Sequence, residues 1–226
     1  SFDVEVNNSA IGQLGETSVP IDQRIQNFED FCNRHRFILT EEQAEFLIQL
    51  VAAAKEEENT DLANIYLFAI CKILHFREEF NNELFVEKPR LDVIISCFPL
   101  SNAFSAASYL VSLDLESAHA VWEYNSFAHF TTFVYQPDPS LPTPRSPGRA
   151  LAFLGSFLKY PDFAEELMEV NESAILLWIK SNSDPEIRYG VLRFIYNSIK
   201  SSEAIANFLL DNVTFYTLFQ SPPETI

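Results

Sequence analysis

Glycine is scarce in this chain, with 5 copies among 226 residues. That scarcity excludes the glycine-rich loops that cradle phosphate groups and the dense turns of a β-sandwich. Cysteine is sparse too: Cys32, Cys71 and Cys97 form no CxxC motif, and three thiols cannot all pair within one chain. Such a set is typical of reduced thiols, so we expect an intracellular protein, in the cytoplasm or else in the nucleus.

Long apolar runs are also lacking. No run approaches the roughly 18 residues that a membrane-spanning helix needs, and the run at 174–179 has only six. The first residues show neither a basic segment nor an apolar core of the kind that a secretory signal carries. We therefore expect a soluble protein without a signal peptide.

Basic side chains are few, with 15 Lys and Arg against 32 Asp and Glu, which gives a formal net charge of −17. A field of this sign repels nucleic acids and anionic membrane surfaces, because both are bound through clustered Lys and Arg. It attracts basic protein segments and speeds their encounter, although an acidic surface also serves solubility alone. We expect a protein or peptide partner, with a basic one as one option, and expect neither a nucleic acid nor a membrane.

What the chain does contain is apolar and aromatic: 47% of residues are hydrophobic and 21 are Phe. The apolar residues follow the helical period from Pro20 onward, and local signals mark where helices begin. Pro20 opens the first helix, Thr40 and Gln43 form a capping box for the second, and Asn59 or Thr60 caps the third.

A short, a medium and a long helix then recur in that order. The short helices begin near Arg77, Glu116, Pro161 and Ser202, at intervals of 39, 45 and 41 residues. A period near 40 with two or three helices per unit is typical of HEAT and armadillo arrays, whose units bury their apolar faces only by stacking. On one short helix, Phe80 and Leu84 stand four apart, so we expect both to be buried between neighbouring units.

The triplet order and the segment Phe194–Ile199 (FIYNSI) resemble the armadillo-repeat family and the signature of its third helix. The resemblance implies an all-α fold, a right-handed α-solenoid of about four to five armadillo-like three-helix units. We expect a flexible lead-in at residues 1–18, the repeat domain at 19–220, and a C-terminal tail or truncation point at 221–226. The lead-in carries no helical period, and one short strand at residues 2–6 is the alternative there.

The same resemblance implies a binding groove lined by the long third helices. Asn197 occupies the position of the family's groove-lining asparagine, and Lys72, Ser112 and Ser156 align with it. An extended peptide or a partner helix would lie in this groove. The candidate groove residues are Asn64, Phe68, Lys72, Ser105, Ser108, Ser112, Arg149, Ser156, Tyr189, Arg193 and Asn197.

No residue pattern indicates a reaction, a cofactor or a metal. The segment around Ser156 lacks the GxSxG frame of a nucleophile elbow. Cys32 with His35 and Cys71 with His75 are isolated pairs, whereas a metal site needs more ligands. A helical hydrolase or transferase would need a base beside a nucleophile, and a nucleic-acid-binding repeat would need a continuous basic stripe. The sequence shows neither, so we expect no enzyme.

The proline-rich stretch at 136–148 interrupts the helical order and holds five of the 12 prolines. It is interpreted as a surface loop, as a ligand for a proline-reading domain, or as a regulatory segment phosphorylated at Thr143 or Ser146. Ser146 also fits the N-cap of a helix that begins at Pro147.

The sequence thus predicts a non-catalytic interaction scaffold or adaptor. The alternative is a regulatory subunit or a fragment of a larger armadillo protein, such as a transport adaptor or a cytoskeletal or signalling regulator. That alternative would act through the proline-rich loop.

Overall fold

A computed structural model of the chain describes residues 4–35, 38–76, 79–124 and 147–161, and helical residues 163, 166, 189, 192–194, 196–197, 200, 203 and 207. The chain divides into two compact units. The first comprises residues 1–124 with 142–144, and the second comprises 125–141 with 145–226. The boundaries predicted for the repeat domain, at 19 and 220, stay predictions.

Helices and the turns between them make up the described part of the first unit, and it contains no β-strand. Its helices are α1 (Val4–Gly12), α2 (Ile21–Arg34), α3 (Glu41–Glu56), α4 (Thr60–His75), α5 (Glu79–Val86), α6 (Lys88–Ser96), α7 (Ser101–Val111) and α8 (Leu115–Trp122). A 3-10 turn, Gln13–Gly15, follows α1. The predicted order of a short, a medium and a long helix is confirmed in α5, α6 and α7.

The caps at the starts of α3 and α4 are as predicted. Thr40 Oγ1 accepts a hydrogen bond from the Gln43 backbone N–H at 3.2 Å, and Gln43 Oε1 accepts from the Thr40 N–H at 2.9 Å. This reciprocal pair is the capping box that the sequence predicted. At α4 the cap is Asn59, whose Oδ1 accepts from the Leu62 N–H at 3.1 Å.

The end of α3 closes in a Schellman turn with an unusual residue. Glu58 lies at φ 56°, in the left-handed region that favours glycine. The Asn59 N–H reaches the Ala54 carbonyl at 2.9 Å, and the Glu58 N–H reaches the Lys55 carbonyl at 3.0 Å. Both bonds satisfy carbonyls that the helix end would otherwise leave without a partner.

The core of the first unit lies around α4 and α7. The apolar residues of these helices alternate with small ones, so the helices approach each other closely and exclude water. The largest side chains that are almost fully buried there include Leu67, Ile70 and Ile73 of α4, Phe104 of α7 and Phe85 of α5. Among the described residues, no helix combines the length and the hydropathy that crossing a membrane requires.

At the N-terminus, the expectation of a lead-in without a helix is wrong, and so is the alternative of a strand. Residues 4–12 form α1, and both Ile11 and Leu14 are buried. Two long-range hydrogen bonds hold the segment: Arg24 Nη1 donates to the Leu14 carbonyl at 2.7 Å, and Gln43 Nε2 donates to Asn8 Oδ1 at 2.6 Å. Tertiary contacts therefore stabilise a helix that its local sequence does not predict.

The expectation for the short helix α5 is half right. Leu84 is buried, whereas Phe80 is 52% exposed. Phe80 stands at the start of α5, while its neighbour Asn81 turns inward and accepts a hydrogen bond from the Leu39 N–H at 2.7 Å. The buried amide thus takes the inward position that the sequence assigned to Phe80.

In the second unit, α9 (Pro147–Phe157) begins at the predicted proline. Its phenylalanines form edge-to-face contacts, with ring centroids 5.3 Å apart for Phe153 and Phe157 and 5.4 Å apart for Phe157 and Phe163. Gly155 lies close to another helical segment, where an added Cβ would stand 3.6 Å from the Phe194 ring. The proline-rich residues 136–146, which include Thr143 and Ser146, lie outside the described residues.

Candidate functional site

The long helices α4 and α7 run side by side in the same direction. Asn64 contacts Ser101 and Asn102 near the start of α7, and His75 Nδ1 lies 3.1 Å from Tyr109 Oη near its end. Six predicted groove residues belong to these two helices or to their ends, and all six are half-buried. We call this surface the α4–α7 face; it consists of Asn64, Phe68, Lys72, Ser105, Ser108 and Ser112.

Asn64 joins the two helices. The residue before α7, Leu100, offers no side-chain cap. Asn64 Oδ1 instead accepts from the Asn102 backbone N–H at 3.0 Å, and Asn102 Nδ2 donates to the Asn64 carbonyl at 2.9 Å. Asn64 therefore caps α7 from the neighbouring helix and fixes the relative position of the two helices.

The α7 side of the face is small and uncharged. Ser105, Ser108 and Ser112 each donate a hydroxyl hydrogen bond to the carbonyl four residues earlier, at 3.2, 2.8 and 2.8 Å. No residue between Ser101 and Val111 carries a charge. Because the hydroxyl hydrogens turn back to the helix, this side presents short side chains with outward oxygen atoms.

The α4 side carries an aromatic ring and an ion pair. The Lys72 ammonium is paired with the carboxylate of Glu29 on α2, and Lys72 Nζ lies 5.1 Å from the centroid of the Phe68 ring. The side chains of Lys72 and Glu29 are 28% and 29% exposed. This cation is therefore held by two groups of its own chain while remaining in reach of solvent.

The three cysteines are free and buried. Burial raises the pKa of the Cys32 thiol to about 12, although the nearby Lys72 charge opposes that shift, and burial also raises the pKa of Cys97. Both thiols therefore stay protonated and are poor nucleophiles. Cys71 donates its S–H to the Asn102 carbonyl at 3.3 Å. The part of the chain that the structure describes holds no group of three or more metal-ligating side chains.

The remaining candidate residues belong to the second unit. Ser156 Oγ donates to the Phe153 carbonyl at 2.5 Å, and Arg149 is exposed on the same helix. Farther along, Tyr189 is 67% exposed, and Arg193 is exposed one helical turn beyond it. Asn197 is half-buried and lies near Gly155, since an added Cβ there would stand 3.8 Å from the Asn197 amide nitrogen.

Sequence reasoning missed a buried arginine that ties α3 to α6. Arg90 is 4% exposed, and its Nε donates to the Leu84 carbonyl at 2.5 Å. Its guanidinium also lies 3.5 Å from Glu45, 3.8 Å from Glu41 and 2.5 Å from Glu87. Glu87, the N-cap of α6, stands three residues before Arg90 and was a local signal, but the two glutamates of α3 are distant in sequence.

No protein-family model matches the chain, and no curated protein matches it. Solved structures do. An engineered protein matches at 13% sequence identity, with a TM-score of 0.60, over 94% of this chain and 93% of its own. A designed armadillo repeat protein, solved in complex with the peptide (KR)4, matches at 12% identity and a TM-score of 0.57, over 94% of this chain and 95% of its own.

The fold is an armadillo-like α-solenoid. This likeness in structure confirms the all-α repeat fold that the sequence predicted, and it says nothing by itself about activity.

Proposed function

We propose that this protein is a non-catalytic interaction scaffold or adaptor, and that an extended segment of a partner protein binds along the α4–α7 face. The observation that supports this most is the face itself. Two parallel long helices of an armadillo-like fold carry these six half-buried side chains, and a similar designed protein is in complex with a peptide.

The chemistry of the face suits an extended chain. The serines of α7 are small, so a peptide backbone could approach that helix closely. Phe68 offers an apolar contact on α4, and aromatic anchors contribute much of the binding energy at interfaces. Asn64 caps α7 and holds the helices in register, so the surface is formed before the partner arrives.

Charge favours a basic partner. The residues before Asn125 include 21 acidic and 8 basic side chains, which gives the first unit a net charge of −13. Such a field raises the rate at which a cationic segment meets the protein. The designed protein that resembles this chain is itself bound to a peptide named (KR)4.

A non-enzymatic role fits the buried, protonated thiols of Cys32 and Cys97. It also fits the serines of the face, whose hydroxyl hydrogens are directed to helix carbonyls rather than to a general base. We propose an intracellular location as well, because all three cysteines are free and buried.

We extend the proposal to the second unit through Tyr189 and Arg193. Both are exposed and stand one turn apart, as two anchors for a peptide would. Replacing both by alanine should weaken partner binding at least about tenfold, which corresponds to about 1.4 kcal/mol, without lowering the melting temperature by much.

The proposal is tested by selecting peptides from a random displayed library and measuring their affinity by fluorescence anisotropy. Phe68→Ala combined with Ser108→Leu should weaken a selected peptide by about tenfold or more. The matched control is Phe80→Ala with Ser96→Leu, which makes the same two changes at exposed positions on α5 and α6. Equal losses in both variants would contradict the proposal. Binding that survives both but disappears when residues 136–146 are deleted would favour the proline-rich loop instead.

A further inference from the structure

Three side chains on neighbouring helices form a compact arrangement at the α4 side of the α4–α7 face, two of them from that face and one from α2. Glu29 comes from α2, and Phe68 and Lys72 stand one turn apart on α4. The Lys72 ammonium contacts the Glu29 carboxylate and lies 5.1 Å from the Phe68 ring centroid. An ammonium thus sits against a carboxylate and an aromatic ring at the same time.

A carboxylate beside an aromatic ring is a general way to hold a cation. The carboxylate supplies a charge-assisted hydrogen bond, and the negative face of the ring adds a cation–π attraction. Here the cation is supplied by the same chain, on a flexible side chain of four methylene groups. Since Lys72 and Glu29 are each more than a quarter exposed, the ammonium can leave into water without moving the backbone.

We propose that Glu29 and Phe68 form a cation-binding subsite, that Lys72 occupies it in the free protein, and that an Arg or Lys side chain of the bound partner replaces Lys72 there. This inference rests on the proposed function, because it names what the α4–α7 face recognises. Lys72 then acts as an internal competitor, and its ammonium becomes solvated when the partner binds.

The exchange is energetically feasible because one cation replaces another. Partly exposed ion pairs contribute little, on the order of 0–1 kcal/mol, so releasing Lys72 costs little. An incoming guanidinium gains more than an ammonium does, because it is planar, stacks on rings and binds carboxylates through two N–H groups. Apolar or anionic side chains do not displace Lys72, so the subsite selects cationic segments. The net charge of −13 before Asn125 brings such segments to it.

The test uses the full chain and a fluorescent octapeptide of alternating Lys and Arg, with a Gln-rich and a Glu-rich octapeptide as comparisons. Lys72→Met removes the competitor and keeps the length of the side chain. It should bind the basic peptide about three- to tenfold more tightly than the unaltered protein. Lys55→Met removes the same charge from α3, where Lys55 is exposed, and should change affinity by less than about twofold.

A second pair of variants separates displacement from simple charge repulsion. In the unaltered protein, Glu29 exchanges one cation for another, so Glu29→Gln should weaken binding less than it does once Lys72 has been removed. In the Lys72→Met background the subsite is open, and Glu29→Gln should then weaken binding by about threefold or more. Phe68→Leu should act in the same way, because it keeps an apolar side chain but removes the aromatic face.

Three results would overturn the inference: equal affinities for Lys72→Met and Lys55→Met, equal effects of Glu29→Gln in both backgrounds, or no binding of the basic peptide by any variant. Melting curves check that every variant is folded. If library selection yields neutral or acidic peptides that depend on Phe68 and Ser108, the inference fails while the proposed function stands.

Discussion

The two compact units differ in net charge. Before Asn125 the chain has 21 acidic and 8 basic residues, a net charge of −13, whereas after it the counts are 11 and 7, a net charge of −4. The first unit also has two buried cationic side chains, Arg24 and Arg90. In the described part of the second unit, Arg193 is exposed.

Two lysines of the second unit lie over aromatic rings on its surface. Lys159 Nζ is 5.3 Å from the Tyr160 ring centroid, and Lys200 Nζ is 4.4 Å from that of Tyr196. Most of the net negative charge of the chain therefore belongs to its first unit. A basic segment should therefore be drawn to the first unit, while the exposed Arg193 of the second suits an acidic residue of a partner.

The largest effect is expected when one arginine is removed from each unit, which tests whether the buried cation contributes more to stability than the exposed one. Arg90→Met should lower the free energy of unfolding by about 2–3 kcal/mol, because the buried Leu84 carbonyl loses its charged donor. The glutamates around Arg90 are 46–72% exposed, so water solvates them and limits the loss. Arg193→Met removes the same charge from an exposed position and should cost less than about 0.5 kcal/mol.

Urea unfolding of both variants measures this difference. Similar midpoints for the two variants would mean that the buried Arg90 contributes no more to the free energy of unfolding than the exposed Arg193 does.

Within the first unit, Asn64→Ala should cost about 1–2 kcal/mol. It removes the cap that α7 receives from α4 and leaves the Asn102 N–H without its acceptor. Ser108→Ala is the matched control on the same face. It removes only a hydroxyl bonded to its own helix and should change stability by less than about 0.5 kcal/mol. Thermal unfolding that ranks the two in the opposite order would show that Asn64 does not hold the helices together.

Prediction from the sequence succeeds for the features that adjacent residues determine. Features that depend on a few adjacent residues were predictable: the capping box of Thr40 and Gln43, the cap at Asn59 and the helix start at Pro147. The repeat period near 40 predicted the solenoid as well. Each of these signals arises from backbone hydrogen bonds or helical periodicity, which neighbouring residues determine.

Features that depend on distant residues were not predictable. Asn64 caps a helix that begins 37 positions later, and Arg24 bonds to a carbonyl of the N-terminal segment. The helix α1 has three β-branched residues and two asparagines, which disfavour a helix locally, so only its packing accounts for it. The ion pair of Lys72 with Glu29 joins two helices, and spacing along either helix does not reveal it.

The stability cost of removing an N-cap side chain can be compared between the two units. Thr40→Ala in the first unit should cost about 1 kcal/mol, because it removes the Oγ1 that accepts from the Gln43 N–H and leaves only the bond from the Thr40 N–H to Gln43 Oε1. Ser146→Ala should cost about the same, if Ser146 caps α9 as its place before Pro147 predicts. If Ser146→Ala alone leaves the melting temperature unchanged, the prediction that Ser146 caps α9 is wrong. The cap at Thr40 in the first unit does not depend on that result.

The smallest expected effect is a gain in stability within the acidic run of the first unit. Glu58→Gly should stabilise the protein by about 0.5–1 kcal/mol, because glycine adopts the φ of 56° without strain. Glu57→Gly removes the same charge one residue earlier, where φ is −78°, and should destabilise by a similar amount. If both variants gain stability, charge repulsion among these glutamates outweighs backbone conformation.

The central claim, that the α4–α7 face of the first unit binds a basic segment, is tested most directly by amide NMR shifts. Isotope-labelled protein is titrated with the octapeptide of alternating Lys and Arg, at a salt concentration near 150 mM. We expect saturable changes in amide chemical shift that cluster at Phe68, Lys72, Ser108 and their neighbours on α4 and α7. Shifts confined to α3, α6 or the second unit, or shifts that never saturate, would contradict it.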